Sequence, residues 1–427
     1  MPGYEALVPG YNVAYHGLRP RLITLARTRE EVIGTIATCR RENWPLHIRG
    51  GGHSFEDLNT GPGVLLDTRR MNRLQLSSDG KTLTVEAGAT LGQVQRALLP
   101  RGLVIPTGSC PSVGITGLTL GGGYGLGSRK YGLSCDALRE VELIDASGRV
   151  AIASERQNPE LFWALRGGGG AHLGVVTRLS FAPQPASERV SVLRARVRPE
   201  ARREFLARWQ SWIAGGTDQL TPLVYVAATP SGIDGPVLLA QYWGDRPGAR
   251  VALEPFLPLL ELPEIEECSA LEAAQVFGGE LDAPLKPTRF KSKSHFFKRE
   301  LGDAQWDVLL RLLAPPIDGL LGLMLDPWQG AIRRVPHHDT AFAHRDALFS
   351  IQYRADWSAE AEAAASLASL QQVYDSLAPL SDGAYANYSD KSLSDWRTAY
   401  YGAHLERLTS VKRQFDPDGF FSHPLSL

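Results

Sequence analysis

Four cysteines in 427 residues are too few for a disulfide framework. Cys39 lies in a helical pattern, and Cys39, Cys135 and Cys268 read as core filling. Charge of one sign is also missing. The formal net charge is −1 and no long like-charge run occurs, so neither a nucleic-acid nor a membrane-surface partner is indicated. No apolar stretch reaches the roughly 18 residues of a membrane span. The first residues, Met1 to Val8, have neither a basic n-region nor an apolar h-region. A soluble, cytoplasmic protein without a signal peptide is therefore expected. There is no G-x-G-x-x-G and no Walker loop, which argues against Rossmann binding of NAD. Internal repeats and low-complexity tracts are absent too. What remains is an ordinary globular composition, 43% hydrophobic and 21% charged, long enough for two domains with large cores.

Three weaker signals are set aside. Asn387-Tyr388-Ser389 matches a glycosylation acceptor, a coincidence in a cytoplasmic chain. His337-His338-Asp339 with His344 has no partnering Cys or helical His pair, and reads as solvated histidines, so no metal is expected. Lys286 to Lys298 interleaves four Lys and one Arg with Phe, and at this net charge reads as a strand edge or pocket wall.

Periodicity and caps divide the chain. Thr28 with Glu31 reads as a capping box opening a helix to about Asn43. A short strand, 45–49, follows. Residues 64–67 and 82–86 are strand-like, and Thr90 with Gln93 repeats the capping signal before an amphipathic helix. Residues 138–145 and 149–153 read as a hairpin, 159–165 as a short helix and 174–181 as a strand. Pro183-Gln184-Pro185 then punctuates the chain. Beyond it, strands at 190–196, 223–228, 237–243 and 348–354 alternate with helices at 199–214, 246–260, 303–313 and 358–378. That grammar suits an antiparallel sheet with helices on one face. From about Ser381 the chain, with a terminal helix at 402–414, reads as a return to the first domain. The expected division is 1–185, 186–380 and 381–427, in an α+β fold.

Two segments carry the chemistry: Arg49-Gly50-Gly51-Gly52-His53-Ser54, and Thr107-Gly108-Ser109-Cys110 running on to Val113-Gly114. Each sets one nucleophile, an imidazole or a thiol, in a glycine-rich loop. Consecutive backbone amides in such loops can form a nest for a pyrophosphate. A nucleophile beside each nest suggests a dinucleotide both cradled and bonded. Thr116-Gly117 and the run Gly121-Gly122-Gly123-Tyr124 follow in order.

Together these segments resemble the berberine bridge enzyme-like flavoproteins of the vanillyl-alcohol-oxidase superfamily. Residues 129–133, 160–170, 342–353, 385–390 and 400–402 also look like family text, and the similarity covers nearly the whole chain. The resemblance implies a two-domain PCMH-type FAD-binding fold, with a substrate domain of antiparallel sheet covered by helices. It implies FAD bonded twice, to His53 through the 8α-methyl and to Cys110 through ring carbon 6. Arg49, Gly50, Gly51, Gly52, Ser54, Thr107, Gly108, Ser109, Val113, Gly114, Thr116, Gly117, Gly121, Gly122, Gly170, Gly174, Val176, Asn387 and Tyr388 are the further candidate cofactor contacts.

The resemblance also places Tyr385 over the flavin as catalytic base, with Tyr124 as a second phenol in the pocket; alternatively each is an interfacial aromatic with a satisfied hydroxyl. A phenol titrates near pH 10, so a base of this type needs a cation or donors nearby. Some plant relatives supply a Lys where this chain has Ser350, so what activates Tyr385 is open. Gln352 stands where berberine bridge enzyme has a glutamate base. A neutral amide cannot accept that proton, which favours alcohol oxidation over amine-type cyclisation; Gln352 either orients substrate or satisfies a buried backbone group. Val113 is similar in position to the family's oxygen gate, or else packs as ordinary core. Two positions depart from the family pattern: His172 replaces a frequent Asn, and Ala137 another. The expectation is an FAD-dependent oxidase, a monomer, with a small-molecule alcohol substrate (a secondary metabolite or a carbohydrate) and molecular oxygen as partners. A dehydrogenase with another acceptor, or a flavin protein without catalysis, are the rival readings.

Overall fold

The computed structural model describes residues 3–15, 17–317 and 319–427. Its fold is α+β. Leu22–Leu25, Val64–Asp67 and Leu46–Arg49 form a parallel three-stranded sheet in that order. Beside it runs a five-stranded antiparallel sheet, Leu74–Leu76, Leu83–Glu86, Val175–Phe181, Leu138–Ile144 and Val150–Ser154. The caps behave largely as expected. Thr90 and Gln93 make a full capping box on helix Leu91–Leu98. Thr28 makes half of one: its hydroxyl accepts from Glu31 N–H, but the Glu31 carboxylate accepts from Arg27 N–H instead, at 2.6 Å.

Seven antiparallel strands form the second body, in the order Ile265–Cys268, Val190–Arg196, Gly232–Tyr242, Leu220–Thr229, Leu320–Pro327, Phe349–Asp356 and Phe290–Phe297. Side chains alternate across a strand. One face presents Leu193, Val224, Val226, Leu238, Leu321, Leu323 and Ile351 to helices Arg202–Gly215, Asp303–Leu313 and Ala363–Leu377, and a large core closes between them. The other face is more polar. Register sets Asp326, Ser350 and Phe296 abreast, and next to them Tyr225, Met324, Gln352 and Ser294. This second face roofs the site.

Several elements differ from the sequence reading. The strand Leu320–Pro327 and the helix Ala270–Gly278 are additional. The 246–260 helix stops at Leu253, and Pro255 and Pro258, which lack N–H donors, break the remainder into a turn at Leu257–Leu259. The Lys286–Lys298 stretch contains the edge strand Phe290–Phe297, but Lys291 and Lys293 are mostly sequestered in ion pairs with Asp390. At the C-terminus, Trp396, Tyr400, Tyr401, Leu408 and Val411 pack into the same core as Leu161, Phe162 and Trp163.

Candidate active site

The two glycine-rich loops cross backbone to backbone. A Cβ on Gly51 would lie 2.6 Å from Gly114 Cα, and one on Gly114 would lie 2.8 Å from Gly51 Cα. Only glycine at both positions permits the approach. The cysteine loop is pinned from the other side. The first amides of helix Leu91–Leu98, which have no partner within the helix, donate to Val113 O from Leu91 and to Pro111 O from Gly92, both at 2.9 Å. Meanwhile the amides of Gly50, Gly51, Gly52, His53 and Ser54, and those of Gly108, Ser109 and Cys110, find no acceptor among the described residues. They are free to hold an anionic ligand.

His53 and Cys110 flank this cradle. The His53 Nε2 lies 3.2 Å from Ser112 Oγ, which joins the two loops. Burial, with the Arg354 cation second, pushes the imidazole down to about 4, so it is neutral at ordinary pH. The Cys110 thiol is exposed.

Tyr385 is 2% exposed, and its phenol oxygen accepts two hydrogen bonds, from Gly123 N–H at 3.0 Å and Asn387 Nδ2 at 2.9 Å. Gly121 makes room for Asn387, whose Cγ would lie 2.6 Å from any Cβ there. Gly122 and Gly123 have φ of 115° and 88°, which turns the Gly123 amide toward the phenol at no steric cost. Burial pushes the Tyr385 pKa up, and the two N–H donors oppose it. Burial outweighs them, so the net shift is upward; at the position of the plant Lys, Ser350 accepts from Trp328 Nε1 at 2.8 Å and donates to Asp326 Oδ2 at 3.3 Å.

Asp326 is the residue the sequence reading missed. It is 2% exposed, and burial raises its carboxyl to about 7, with Ser350 and the Tyr388 phenol pulling it back. Tyr388 packs edge-on against Tyr385 with ring centroids 5.0 Å apart. A lone carboxylate closing the apolar run Leu320-Leu321-Gly322-Leu323-Met324-Leu325 was the available signal.

Other residues take supporting places. Tyr124 donates its hydroxyl to Pro327 O at 3.0 Å and stacks on Trp328 at 4.5 Å. Gln352 donates to Ser292 Oγ at 3.1 Å on the roof. Val113 donates its N–H to Cys110 O at 3.2 Å, at the loop crossing. Gly170 follows the amides of Gly167 and Gly169, which both donate to Leu120 O, the residue before Gly121.

Several further candidates are engaged with neighbouring protein groups. Arg49 is fully buried and donates to the carbonyls of Leu7 and Val8 at 2.6 and 2.9 Å, while its stem packs against Gly52, where a Cβ would lie 3.5 Å from Arg49 Cδ. Thr116 donates its hydroxyl to Ala87 O. Gly174 and Val176 contact or pair with the Leu138–Ile144 strand. His172 is 1% exposed, with both ring nitrogens unpartnered among the described residues.

Known proteins are similar to this chain in sequence and fold. The FAD binding domain family model matches residues 20–154, and the berberine and berberine-like model matches residues 384–427. Aclacinomycin-N/aclacinomycin-A oxidase of Streptomyces galilaeus is 30% identical over 486 residues, covering 99% of this chain and 88% of that oxidase. Reticuline oxidase of Papaver somniferum is 28% identical over 96% of this chain and 84% of its own length. Among solved structures, wild-type Physcomitrella patens BBE-like 1 matches with a TM-score of 0.91 and 27% identity, covering all of this chain and 96% of that one. The chain belongs to the berberine bridge enzyme-like family.

A berberine bridge enzyme-like protein is an FAD-linked oxidoreductase, and this site fits FAD. The free amides at 50–54 and 108–110 would hold the pyrophosphate. The glycine crossing keeps side chains out of its way, and the neutral imidazole and exposed thiol supply nucleophiles on either loop. No helix among the described residues is long and apolar enough to cross a membrane.

Proposed function

We propose that this protein oxidises an alcohol-type substrate, a secondary metabolite or a carbohydrate, with FAD tethered to both His53 and Cys110. Bound FAD supplies the hydride acceptor, and its return to the oxidised form reduces molecular oxygen to hydrogen peroxide. The protein's own groups handle the proton and the geometry. Tyr385 accepts the substrate hydroxyl proton. The observation that carries this reading is the pair of N–H donors on its phenol oxygen, from Gly123 and Asn387. Donors aimed at that oxygen favour its ionised form in a buried site. Asp326, titrating at about 7 beyond Tyr388, offers the proton an acceptor of matched acidity near neutral pH. Tyr124, fixed by Pro327 O and Trp328, walls the pocket. Gln352 orients substrate from the roof.

Relatives named as oxidases support oxygen as the acceptor. A variant of berberine bridge enzyme is a reticuline dehydrogenase, so a dehydrogenase with another acceptor is the second reading. Val113, small and beside Cys110, favours the oxidase because it leaves room for a diatomic molecule. The test is peroxide release on adding candidate alcohols to the purified holoprotein, with Tyr385→Phe alongside. The variant is expected to keep its flavin and lose about 10²–10⁴-fold in the rate of flavin reduction. An unchanged rate removes Tyr385 from the chemistry.

A further inference from the structure

The His53 imidazole lies under a second ring. Tyr11 stacks on it with centroids 3.9 Å apart and planes 28° from parallel. Three backbone hydrogen bonds hold the Tyr11 segment as a strap. Tyr11 N–H donates to Gly52 O, Val13 N–H donates to Thr288 O, and Thr288 N–H donates to Tyr11 O, each at 2.9 Å. Asn12 adds side-chain bonds to Phe55 O and Phe290 O, both at 2.8 Å. The strap therefore joins the His53 loop to the segment that leads into the edge strand Phe290–Phe297.

The Tyr11 hydroxyl is held from the roof. It accepts from Arg354 Nη1 at 2.8 Å. Arg354 is itself fixed on every side. It donates to both Asp356 carboxylate oxygens at 2.8 and 2.6 Å and to Thr288 Oγ1 at 2.8 Å, and it lies 3.8 Å over the Phe290 ring. A planar guanidinium engaged in this way keeps one orientation. Tyr11 follows Arg354, and the imidazole follows Tyr11.

We propose that Tyr11 and Arg354 are positioning residues for the flavin tether at His53, so that the seven-stranded sheet sets the plane of the imidazole that forms the bond. This rests on the bicovalent reading above. Forming the tether joins an imidazole nitrogen to the 8α carbon. It breaks one methyl C–H bond and the imidazole N–H bond. The two electrons and two protons released pass to oxidised flavin and from there to molecular oxygen, as hydrogen peroxide. Such a bond forms quickly only when the nitrogen is already aimed at the carbon, and loss of about 1 Å of alignment can cost 10²-fold. The Arg354 cation also helps burial keep His53 unprotonated, the form that can act as nucleophile.

The two tethers make an internal control. Tyr11→Ala, Tyr11→Phe, Arg354→Gln and Arg354→Lys holoproteins are digested, and the flavin-bearing fraction of the His53 peptide and of the Cys110 peptide is read by mass. The parent is expected to carry flavin on both peptides. Tyr11→Ala and Arg354→Gln should lower the His53 fraction by about tenfold, with the Cys110 fraction unchanged. Tyr11→Phe, which keeps the stack, should recover part of it, and Arg354→Lys should not, because it lacks the planar fork. Full His53 loading in Tyr11→Ala and Arg354→Gln overturns the proposal. Loss of both tethers in all four variants assigns these residues to folding and overturns it equally. A parent protein whose His53 peptide carries no flavin instead overturns the bicovalent reading.

Discussion

Asp326 ends a strand of leucines, shielded from water, between a serine hydroxyl and a phenol. Its carboxyl titrates at about 7 in the fold, against about 3.9 in an unfolded chain. Between those values the folded state holds a proton that the unfolded state has released, so the Asp326 contribution to stability falls as pH rises from about 4 to about 7 and is level above. The Asp326→Asn variant never ionises there. Its melting temperature relative to the parent should therefore climb between about pH 4 and pH 7, as followed by calorimetry. A constant difference across that range would place the ionisation elsewhere. In the parent, flavin reduction should accelerate through about pH 7 as the carboxylate forms, and Asp326→Asn should lose that rise. Tyr385, Tyr124, Asn387 and Tyr388 could be singled out in the sequence because they stand in motifs that resemble the family's, and the fold brings them together. Asp326 was not, because its role depends on the register that brings Ser350 abreast of it.

At the scale of elements, the decisive feature is two loops meeting at Gly51 and Gly114. Both loops and their nucleophiles could be picked out from the sequence, but the crossing could not, since 63 positions separate the two glycines. Gly51→Ala has no space for its methyl without parting the loops. It should lose flavin binding altogether, as read by absorbance of the purified protein; normal loading would contradict the crossing. Val113→Leu tests the same place differently. The added methylene should slow reoxidation by air-saturated buffer in stopped-flow while leaving reduction by substrate intact. An unchanged oxygen rate would show that Val113 is core packing and no gate. The strand Leu320–Pro327 escaped the sequence reading for a related reason. Its run of leucines has no alternation to mark it as a strand, although its two faces meet different surroundings.

At the scale of the molecule, the N-terminal sheets, the seven-stranded sheet and the returning C-terminal segment share buried polar contacts. Asp390 of the C-terminal segment pairs with Lys291 and Lys293 of the edge strand at 2.6 and 2.8 Å, and Lys291 also pairs with Glu56 of the His53 loop. That three-way knot lay outside the sequence reading, which took the lysines as an exposed edge or pocket wall. Three buried histidines and the half-buried His423, all away from the tether, are held neutral by desolvation: His295 at about 3, His344 and His423 at about 4, and His172 well below its ordinary value. Unfolded, each titrates near 6.5. Their folded values are depressed, so the stability they preserve is complete above about pH 6.5 and drains away as pH falls toward about 4. Denaturant midpoints should drop steeply across that window, with uptake of several protons on unfolding. A flat profile from about pH 6.5 to 4.5 would mean that these rings are already charged in the fold.

FAD held by His53 and Cys110 together is tested most directly by the intact mass of the acid-denatured protein and of its His53→Ala and Cys110→Ala variants. The expected result is one FAD on the parent chain, retained by each single variant through the remaining tether and lost only when both are replaced. A colourless, unmodified chain with free FAD in the supernatant would contradict it.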